Sequence, residues 1–259
     1  MRMQEGYLEG DKAATRGVPS LVWREGQERR LAMMQRWASL QSAHILVDGC
    51  GVGMYVRTLG ECTPHIAGMD IEPERVAEAQ AAVRHAMLQV AVGERLPYAD
   101  GRFDAVLSHE VIEHVGDDRQ VLAEALRVLR PGGRLLLFCP NRLYPFETHG
   151  HYWRRRYHFG NTPLINWLPD RWRNRLAPHV RAYTRRDLRR LLVGLPAAIV
   201  HHTQIYPGFD NVVARQPALG RWLRRFTYAL ERTPLRTFGL SHFLVLEKAG
   251  DTEGIHVHE

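Results

Sequence analysis

The stretch ILVDGCGVG, residues 45–53, decides the fold of this chain of 259 residues. A short apolar run that ends in an acid is typical of a buried strand in a parallel sheet. The glycines that follow let the backbone turn sharply and approach a bound molecule, because no Cβ stands in the way. A glycine-rich turn between a strand and a helix is the usual crevice for a nucleotide cofactor. The stretch therefore predicts an α/β protein with a cofactor site beside its first strand.

Strands and helices alternate on both sides of this turn. We predict strands at 44–48, 65–70, 87–92, 103–108, 134–139, 197–203 and 243–247. We predict helices over 21–40, 52–61 and 73–85, one that Asp117 caps, and one that Thr184 opens. Such alternation predicts a Rossmann-like, doubly wound, mostly parallel seven-stranded sheet with helices on both faces.

The length suits a single domain over 1–259. We divide it into an N-terminal helical segment (1–43), a cofactor-binding core (44–139), two insertions (140–182 and 207–236) and a polar, disordered tail (250–259). The insertions are rich in aromatic residues and arginine, and they follow strands near the carboxyl edge of the sheet, where ligands bind. We therefore expect them to form a substrate lid with an apolar lining and a basic rim.

Composition narrows the class of protein. Hydrophobic residues make up 45% and charged residues 24%, which is ordinary for a globular domain. No apolar run approaches the roughly 20 residues that span a bilayer, and residues 1–15 lack the apolar region of a secretory signal, so we expect a cytoplasmic protein. Cys50, Cys62 and Cys139 are odd in number and contain no CxxC pair, which predicts reduced thiols.

Basic residues are concentrated in the first insertion and the segment after it. Residues 150–190 hold 11 arginines against two acids, in a chain of net charge +7. Such a stripe suits an anionic partner, namely a phosphate, a nucleic acid or a membrane surface, although a solvated basic face is the alternative. Residues 221–230 predict an amphipathic basic helix with Trp222 and Phe226 on one face. It either touches anionic lipid at the membrane periphery or covers the lid.

Charge distinguishes between two classes of cofactor. Asp70 ends the second strand, where a carboxylate can accept both hydroxyls of a ribose. A dinucleotide would require the pattern GxGxxG, whereas the turn here reads GCGVG at 49–53. Asp48 would also repel a pyrophosphate, but it can bind the ammonium of a methionine moiety. The turn therefore favours S-adenosyl-L-methionine over NAD.

These motifs resemble the class I S-adenosylmethionine-dependent methyltransferases, in the methyltransferase type 11 group that includes the ubiquinone O-methyltransferases. The matching stretches are ILVDGCGVG (45–53), GMDIEPERV (68–76), GERLPYADGRFDAVLSHEVIEHV (93–115) and LRVLRPGGRLLLFCPNR (126–142). The resemblance implies the strand order 3-2-1-4-5-7-6, methyl transfer from S-adenosylmethionine, and S-adenosyl-L-homocysteine as the product.

The resemblance also implies a role for each residue of the cofactor site. Asp48, Gly49, Cys50, Gly51 and Gly53 surround the methionine part, Asp70 binds the ribose, Ile71, Gly93 and Glu94 flank the adenine, and Ser108 and His109 close the pocket. The family often has an aspartate where this chain has Val92. Backbone carbonyls or Glu94 must then accept from the adenine amino group.

An acid–histidine cluster follows the fourth strand. On a helical turn Glu110, Glu113 and His114 share one face and can offer oxygen and nitrogen ligands to a divalent metal. The stretch 179–184 and the ExxEH element resemble the metal-dependent small-RNA 2′-O-methyltransferases, which makes His179 the fourth candidate ligand. The alternative is that Glu113 and His114 pair with each other or with arginines.

Catalytic candidates lie in the segment after the fifth strand. His149 and His151, with Glu147, are placed to act as a general base on a hydroxyl. The alternative is that these histidines are structural residues of a lid, because alignment alone can suffice when the leaving group is a sulfonium.

These observations predict O-methylation of a small-molecule or lipid-linked metabolite with an apolar body and an anionic group. A metal-assisted RNA methyltransferase is the alternative enzyme. A cofactor-binding regulatory protein is the non-enzymatic alternative, but the glycine turn and Asp70 are both intact.

Overall fold

The computed structural model of the protein describes residues 23–154 and 156–250. The start of the predicted helix at 21–40 and the predicted tail beyond residue 250 lie outside these residues. Within them the first helix, α1, covers Glu25–Trp37 and ends three residues before the predicted boundary.

Seven strands form one central sheet. They are β1 Ile45–Asp48, β2 Ile66–Asp70, β3 Met87–Val90, β4 Phe103–His109, β5 Leu129–Pro140, β10 Ala197–Ile205 and β11 Ser241–Lys248. Their order is β3-β2-β1-β4-β5-β11-β10, and β11 runs antiparallel to both of its neighbours. Because β10 and β11 are the sixth and seventh strands of the predicted sheet, the order 3-2-1-4-5-7-6 and the fold class are confirmed.

Helices cover both faces of the sheet. They are α2 Met54–Gly60, α3 Pro73–Ala82, α4 Asp118–Val128, α5 Asp170–Leu176, α6 Arg185–Leu191, α7 Asp210–Arg215 and α8 Pro217–Leu230. Asp117 caps α4 by accepting from the backbone N–H of Gln120 at 2.9 Å. Thr184 caps α6 by accepting from the backbone N–H of Asp187 at 3.2 Å. Both predicted helix starts are therefore confirmed.

Alternation along the strands produces two cores. In β1, Leu46 packs toward α4, whereas its neighbours Ile45 and Val47 pack toward α1 and α2. A strand that is apolar on both sides must be covered on both faces, which is why β1 reads as a continuous apolar run. The sheet is thereby held so that the carboxyl ends of β1, β2 and β4 meet at one edge.

The first insertion contains regular structure that its sequence did not predict. It forms two small antiparallel pairs, β6 Phe146–Glu147 with β9 Thr162–Pro163 and β7 His151–Trp153 with β8 Arg156–His158. These strands are two or three residues long, too short to show a period of two. The second insertion holds two helices, α7 and α8, where one helical stretch was predicted.

Candidate functional site

A cavity of about 620 Å³ opens at the carboxyl ends of β1, β2 and β4. Of the predicted cofactor residues, those that line it are Asp48, Gly49, Cys50, Gly51, Asp70, Ile71, Gly93, Glu94 and His109. Glu110, His114 and His149 line the same cavity, so the predicted cofactor site and part of the acid–histidine cluster share one space.

The glycine turn has a conformation that requires glycine. Gly49 and Gly53 have φ angles of +68° and +87°, in the left-handed region. A Cβ at Gly49 would lie 2.3 Å from Cγ2 of Val111, and one at Gly53 would lie 2.9 Å from Cβ of Ala79. Gly53 therefore permits α2 to pack against α3 and does not line the cavity, unlike Gly49.

Asp48 is a buried acid with an unsatisfied oxygen. Its Oδ2 accepts from the Ser108 hydroxyl at 3.1 Å, which is the role the structure gives to Ser108. Its Oδ1 is buried and has no hydrogen-bond partner among the described residues. Burial raises the pKa of Asp48 to about 7, although the Ser108 hydrogen bond opposes the change. Such an oxygen suits a cationic ligand group, as the ammonium of a methionine moiety would be.

Asp70 is oriented by the backbone. Its Oδ2 accepts from the N–H of Gly51 at 2.9 Å, and its Oδ1 accepts from the N–H of Glu72 at 3.0 Å. These two bonds fix the orientation of the carboxylate at the carboxyl end of β2, where it lines the cavity. This geometry agrees with the ribose role that the family resemblance implies.

The turn after β3 carries the adenine candidates. The carbonyl of Val92 already accepts from the N–H of Arg95 at 3.1 Å. Oε1 of Glu94 accepts from the N–H of Gly116 at 2.9 Å, which ties this turn to the start of α4. This chain has Val92 where the family often has an aspartate. Glu94 is the acid that lines this side of the cavity instead.

The acid–histidine cluster is not the predicted helical turn. Glu110 has a φ of +56°, and the turn that follows is closed by the N–H of His114, which donates to the carbonyl of Val111 at 2.9 Å. The prediction that Glu110, Glu113 and His114 share one face of a helical turn is therefore wrong. The strand end and the turn still bring Glu110 and Glu113 near one histidine of the insertion.

That histidine is His149 and not the predicted His179. Nε2 of His149 lies 3.6 Å from Oε2 of Glu110 and 3.9 Å from Oε1 of Glu113. The ligand atoms of Glu113, His114 and His149 lie within 4.8 Å of one another. His179 instead directs Nε2 to the carbonyl of His149 at 3.1 Å, so it supports the loop behind the cluster.

A buried ion pair orients His149. Oε1 of Glu147 accepts from the backbone N–H of His149 at 2.9 Å and lies 3.3 Å from its Nδ1. Oε2 of Glu147 accepts from Arg173 at 3.0 Å, and Arg173 also donates to the carbonyl of Val180 at 2.8 Å. Glu147 was predicted as one of three alternative bases, and the structure places its carboxylate between His149 and Arg173.

Burial and charge divide the acids of the cluster. Burial, reinforced by the nearby Glu110 carboxylate, raises the pKa of Glu113 well above its usual value. Burial also acts to raise the pKa of Glu110, but the interaction with His149 outweighs it and holds this pKa well below its usual value. Burial acts to lower the pKa of His149, yet Glu110 and Glu147 raise it to about 10.

His151 lies outside the cavity. Its Nδ1 is 3.0 Å from Oγ1 of Thr162, and its ring stacks on His158 with centroids 5.3 Å apart. It begins β7, one of the short strands, and this places its side chain in the insertion rather than beside the cofactor residues.

Several lining residues were missed by the sequence reasoning. Gln27 comes from α1, Tyr55 from α2 and Arg75 from α3. The position of Tyr55 directly after the glycine turn was a usable signal, because that helix begins at the cofactor crevice. Gln27 gave no such signal, since only the tertiary packing of α1 brings it to the cavity.

The aromatic residues of the two insertions do not line this cavity. Many are exposed instead, including Trp153 at 56%, Phe159 at 70%, Trp167 at 51%, Trp222 at 59% and Phe226 at 49%. Trp167 of the first insertion contacts Phe238, which lies two residues after the second insertion, with ring centroids 6.3 Å apart. Among the described residues, the aromatic side chains of the insertions therefore contribute nothing to the lining of this cavity.

Across the described residues, no helix combines the length and the apolar character needed to cross a bilayer.

Comparison with known families agrees with this geometry. Residues 46–137 match the family model described as a methyltransferase domain. The predicted recognition is confirmed: this part of the chain is a class I S-adenosylmethionine-dependent methyltransferase domain, with the Rossmann-like sheet that the class shares.

Relatives and solved structures agree at the level of the domain. A probable S-adenosylmethionine-dependent methyltransferase of Mycolicibacterium smegmatis is 35% identical over 101 residues, which are 38% of this chain and 38% of that protein. A ubiquinone biosynthesis O-methyltransferase of Xylella fastidiosa is 30% identical over 118 residues, 44% of this chain and 48% of that protein. The chain thus spans less than half of either relative. The crystal structure of an S-adenosylmethionine-dependent methyltransferase from Mesorhizobium loti superposes with a TM-score of 0.60 at 18% identity, covering 84% of this chain and 96% of that one.

Proposed function

We propose that the protein transfers a methyl group from S-adenosylmethionine to an oxygen atom of a small-molecule or lipid-linked acceptor. The observation that carries the proposal is one cavity lined by two chemically different groups of residues. Asp48, Gly49 and Asp70 form the group that we expect to bind the cofactor, called the cofactor end below, and Glu110 and His149 line the same space.

The residues at the cofactor end fit the cofactor. The unsatisfied Oδ1 of Asp48 would accept from the methionine ammonium, and the backbone-oriented carboxylate of Asp70 would accept from the ribose hydroxyls. Bound there, the cofactor supplies an electrophilic methyl group on a sulfonium. Gly49 keeps Val111 and the backbone close to this position without a clash.

His149 is the residue that we expect to contact the acceptor oxygen. Of the two histidines predicted as bases, it lines the cavity and His151 does not. Glu147 and Arg173 fix its ring, so Nε2 points toward Glu110 and the cavity. A fixed polar atom beside the acceptor lowers the entropic cost of aligning a hydroxyl with the methyl group. The resemblance to ubiquinone O-methyltransferases supports oxygen as the acceptor atom.

Two measurements test this proposal in order. Calorimetry should show binding of S-adenosylmethionine, and an assay of S-adenosylhomocysteine release should then find turnover with pooled small metabolites or lipid extracts. Total RNA belongs in the same assay as a third pool. Absence of cofactor binding would overturn the enzymatic function, and turnover with RNA alone would overturn the class of acceptor.

A divalent cation is a second candidate feature of the same site. The observation behind it is the group of Glu113, His114 and His149, whose ligand atoms lie within 4.8 Å of one another. One oxygen and two nitrogen donors suit a first-row transition metal such as Mn²⁺, with water completing the coordination sphere. In that case these residues would hold the ion next to the acceptor, as the metal-assisted RNA alternative requires.

Chelation distinguishes methyl transfer that requires a divalent cation from methyl transfer that does not. Metal dependence requires that EDTA removes activity, that Mg²⁺ or Mn²⁺ restores it, and that His114→Ala lowers the metal content found by elemental analysis. Full activity in EDTA with no metal in the purified protein would exclude the ion and leave His149 acting alone.

A further inference from the structure

The outward face of α8 carries three large apolar side chains. Leu219, Trp222 and Phe226 are 46%, 59% and 49% exposed. The rings of Trp222 and Phe226 stack with centroids 5.4 Å apart and planes 2° apart, and with Arg221 and Arg225 they enclose a shallow depression. A helix of a globular protein normally turns its large apolar side chains toward the core, so these three side chains depart from that pattern.

Polar contacts on the inward face fix this orientation. Arg224 donates to the carbonyl of Gly208 at 2.7 Å and to Asp210 at 3.1 Å. The guanidinium of Arg29, on α1, lies 3.8 Å from the ring centroid of Tyr228. Gly220 allows close approach to α7, because a Cβ there would lie 2.5 Å from the backbone nitrogen of Val213. Rotation of α8 to bury its aromatic rings would break these contacts.

The exposed apolar face has a positive rim. α8 contains no acidic residue, and Arg221 and Arg225 flank the aromatic pair. Among the residues that the structure describes, no carboxylate forms an ion pair with either of them, whereas Arg224 on the inward face is paired with Asp210. The outward surface is thus apolar at its centre and cationic at its edge.

We propose that this face of α8 binds the surface of an anionic phospholipid bilayer. Trp and Phe side chains are suited to the headgroup boundary, where apolar rings are buried and polar atoms stay hydrated. Arginines beside them contact the phosphates, and the negative potential of the bilayer attracts them. An RNA partner accounts for the arginines but leaves the exposed aliphatic side chain of Leu219 without a role.

Helix α1 contacts both α8 and the cavity. Gln27 of α1 lines the cavity, and Arg29, two residues further along, packs on Tyr228 of α8. A bilayer bound at α8 would therefore lie on the side of the protein where α1 borders the cavity. This inference goes beyond the proposed methyl transfer and is testable without it.

Cosedimentation with vesicles tests the proposal on the full chain. The vesicles contain phosphatidylcholine alone or phosphatidylcholine with phosphatidylglycerol. Binding should require the anionic lipid. Arg221→Gln with Arg225→Gln should weaken it about 25-fold, since each basic residue near the surface contributes about fivefold. Trp222→Ala with Phe226→Ala should weaken it by at least about tenfold, because both rings lose apolar burial.

Matched controls show whether a loss of vesicle binding comes from the face of α8, from the lower net charge or from misfolding. Arg57→Gln with Arg84→Gln removes the same charge from two exposed residues, one in α2 and one just after α3, and it should leave vesicle binding unchanged. Thermal melts followed by circular dichroism should be the same for all variants.

Three outcomes would overturn the proposal. The first is an absence of binding to anionic vesicles, and the second is equal loss of binding in the control pair. The third is that the outward face of α8 binds something other than a bilayer. A protein that does not bind vesicles, and whose aromatic variant dissociates a dimer or no longer binds RNA, would show this.

Discussion

The cofactor edge of the sheet and the outward face of α8 distribute side chains in opposite ways. At the cofactor edge, acids are buried: Asp48 is 1%, Asp70 5% and Glu113 1% exposed. On α8, large apolar rings are exposed, with Trp222 at 59% and Phe226 at 49%. Both arrangements oppose the usual partition of polar and apolar groups. Natural folds tolerate such exceptions where a ligand or a surface completes them, so each region identifies a place where something binds.

The comparison predicts that breaking the buried charges is the most costly change for stability. Arg173 and Glu147 are 3% and 2% exposed and joined at 3.0 Å. Arg173→Ala leaves the Glu147 carboxylate buried with one of its two cationic partners removed, so the free energy of unfolding should fall by about 3–5 kcal/mol in urea titrations.

The control for this change is an exposed pair. Arg190→Ala breaks a contact of 3.9 Å to Asp187 on the surface of α6, and its effect should stay within about 0.5 kcal/mol. Equal effects of the two substitutions would show that the buried pair contributes no more than a surface pair.

Removal of the ribose acceptor should have the next largest effect, and it should appear in binding. Asp70→Ala deletes charged hydrogen bonds and should weaken S-adenosylmethionine binding by about 1.5–3 kcal/mol in calorimetry. Asp70→Asn should lose less, because it keeps one acceptor oxygen. An unchanged affinity in a folded Asp70→Ala protein would contradict the role of Asp70.

Cofactor affinity should depend on pH through Asp48. Burial raises the pKa of this acid to about 7, and the ionised form is the one that binds an ammonium. The carboxylate is therefore lost as pH falls through 7, and affinity should decrease about eightfold between pH 7.5 and pH 6. In Asp48→Asn the calorimetric affinity should be lower at pH 7.5 and nearly flat over this range. The same slope in both proteins would exclude Asp48 as its source.

The smallest expected effect concerns the exposed rings. Trp222→Ala with Phe226→Ala removes side chains that contribute little to the core, so the free energy of unfolding should change by less than about 1 kcal/mol. Cofactor affinity should also stay within twofold. A loss of several kcal/mol would show that the rings support the fold, and the contrast with the cofactor edge would then disappear.

Local patterns predicted the core but not the insertions. Strand alternation, the glycine turn and the caps Asp117 and Thr184 are short-range features, and each lies in the structure where it was expected. Residues 140–182 offered no period, because their strands are only two or three residues long.

The metal and base predictions show the same limit. Glu113 and His114 were predicted from a local motif and do lie together, whereas the fourth candidate ligand, His179, was assigned from the resemblance of its spacing to another family. A spacing in sequence does not determine which histidine of a folded loop points inward. The ion pair between Glu147 and Arg173 decides this for His149.

The sequence by itself determined the class I methyltransferase fold, the strand order and nine of the residues that line the cavity, because these depend on periodicity, glycine conformation and motifs at the strand ends. Only the tertiary structure placed Gln27 beside the cavity, exchanged His179 for His149, and turned the aromatic face of α8 outward. Those features depend on contacts between residues far apart in the chain, such as Arg29 with Tyr228. Many such contacts together determine the orientation of a helix or loop, and a local sequence pattern does not show them.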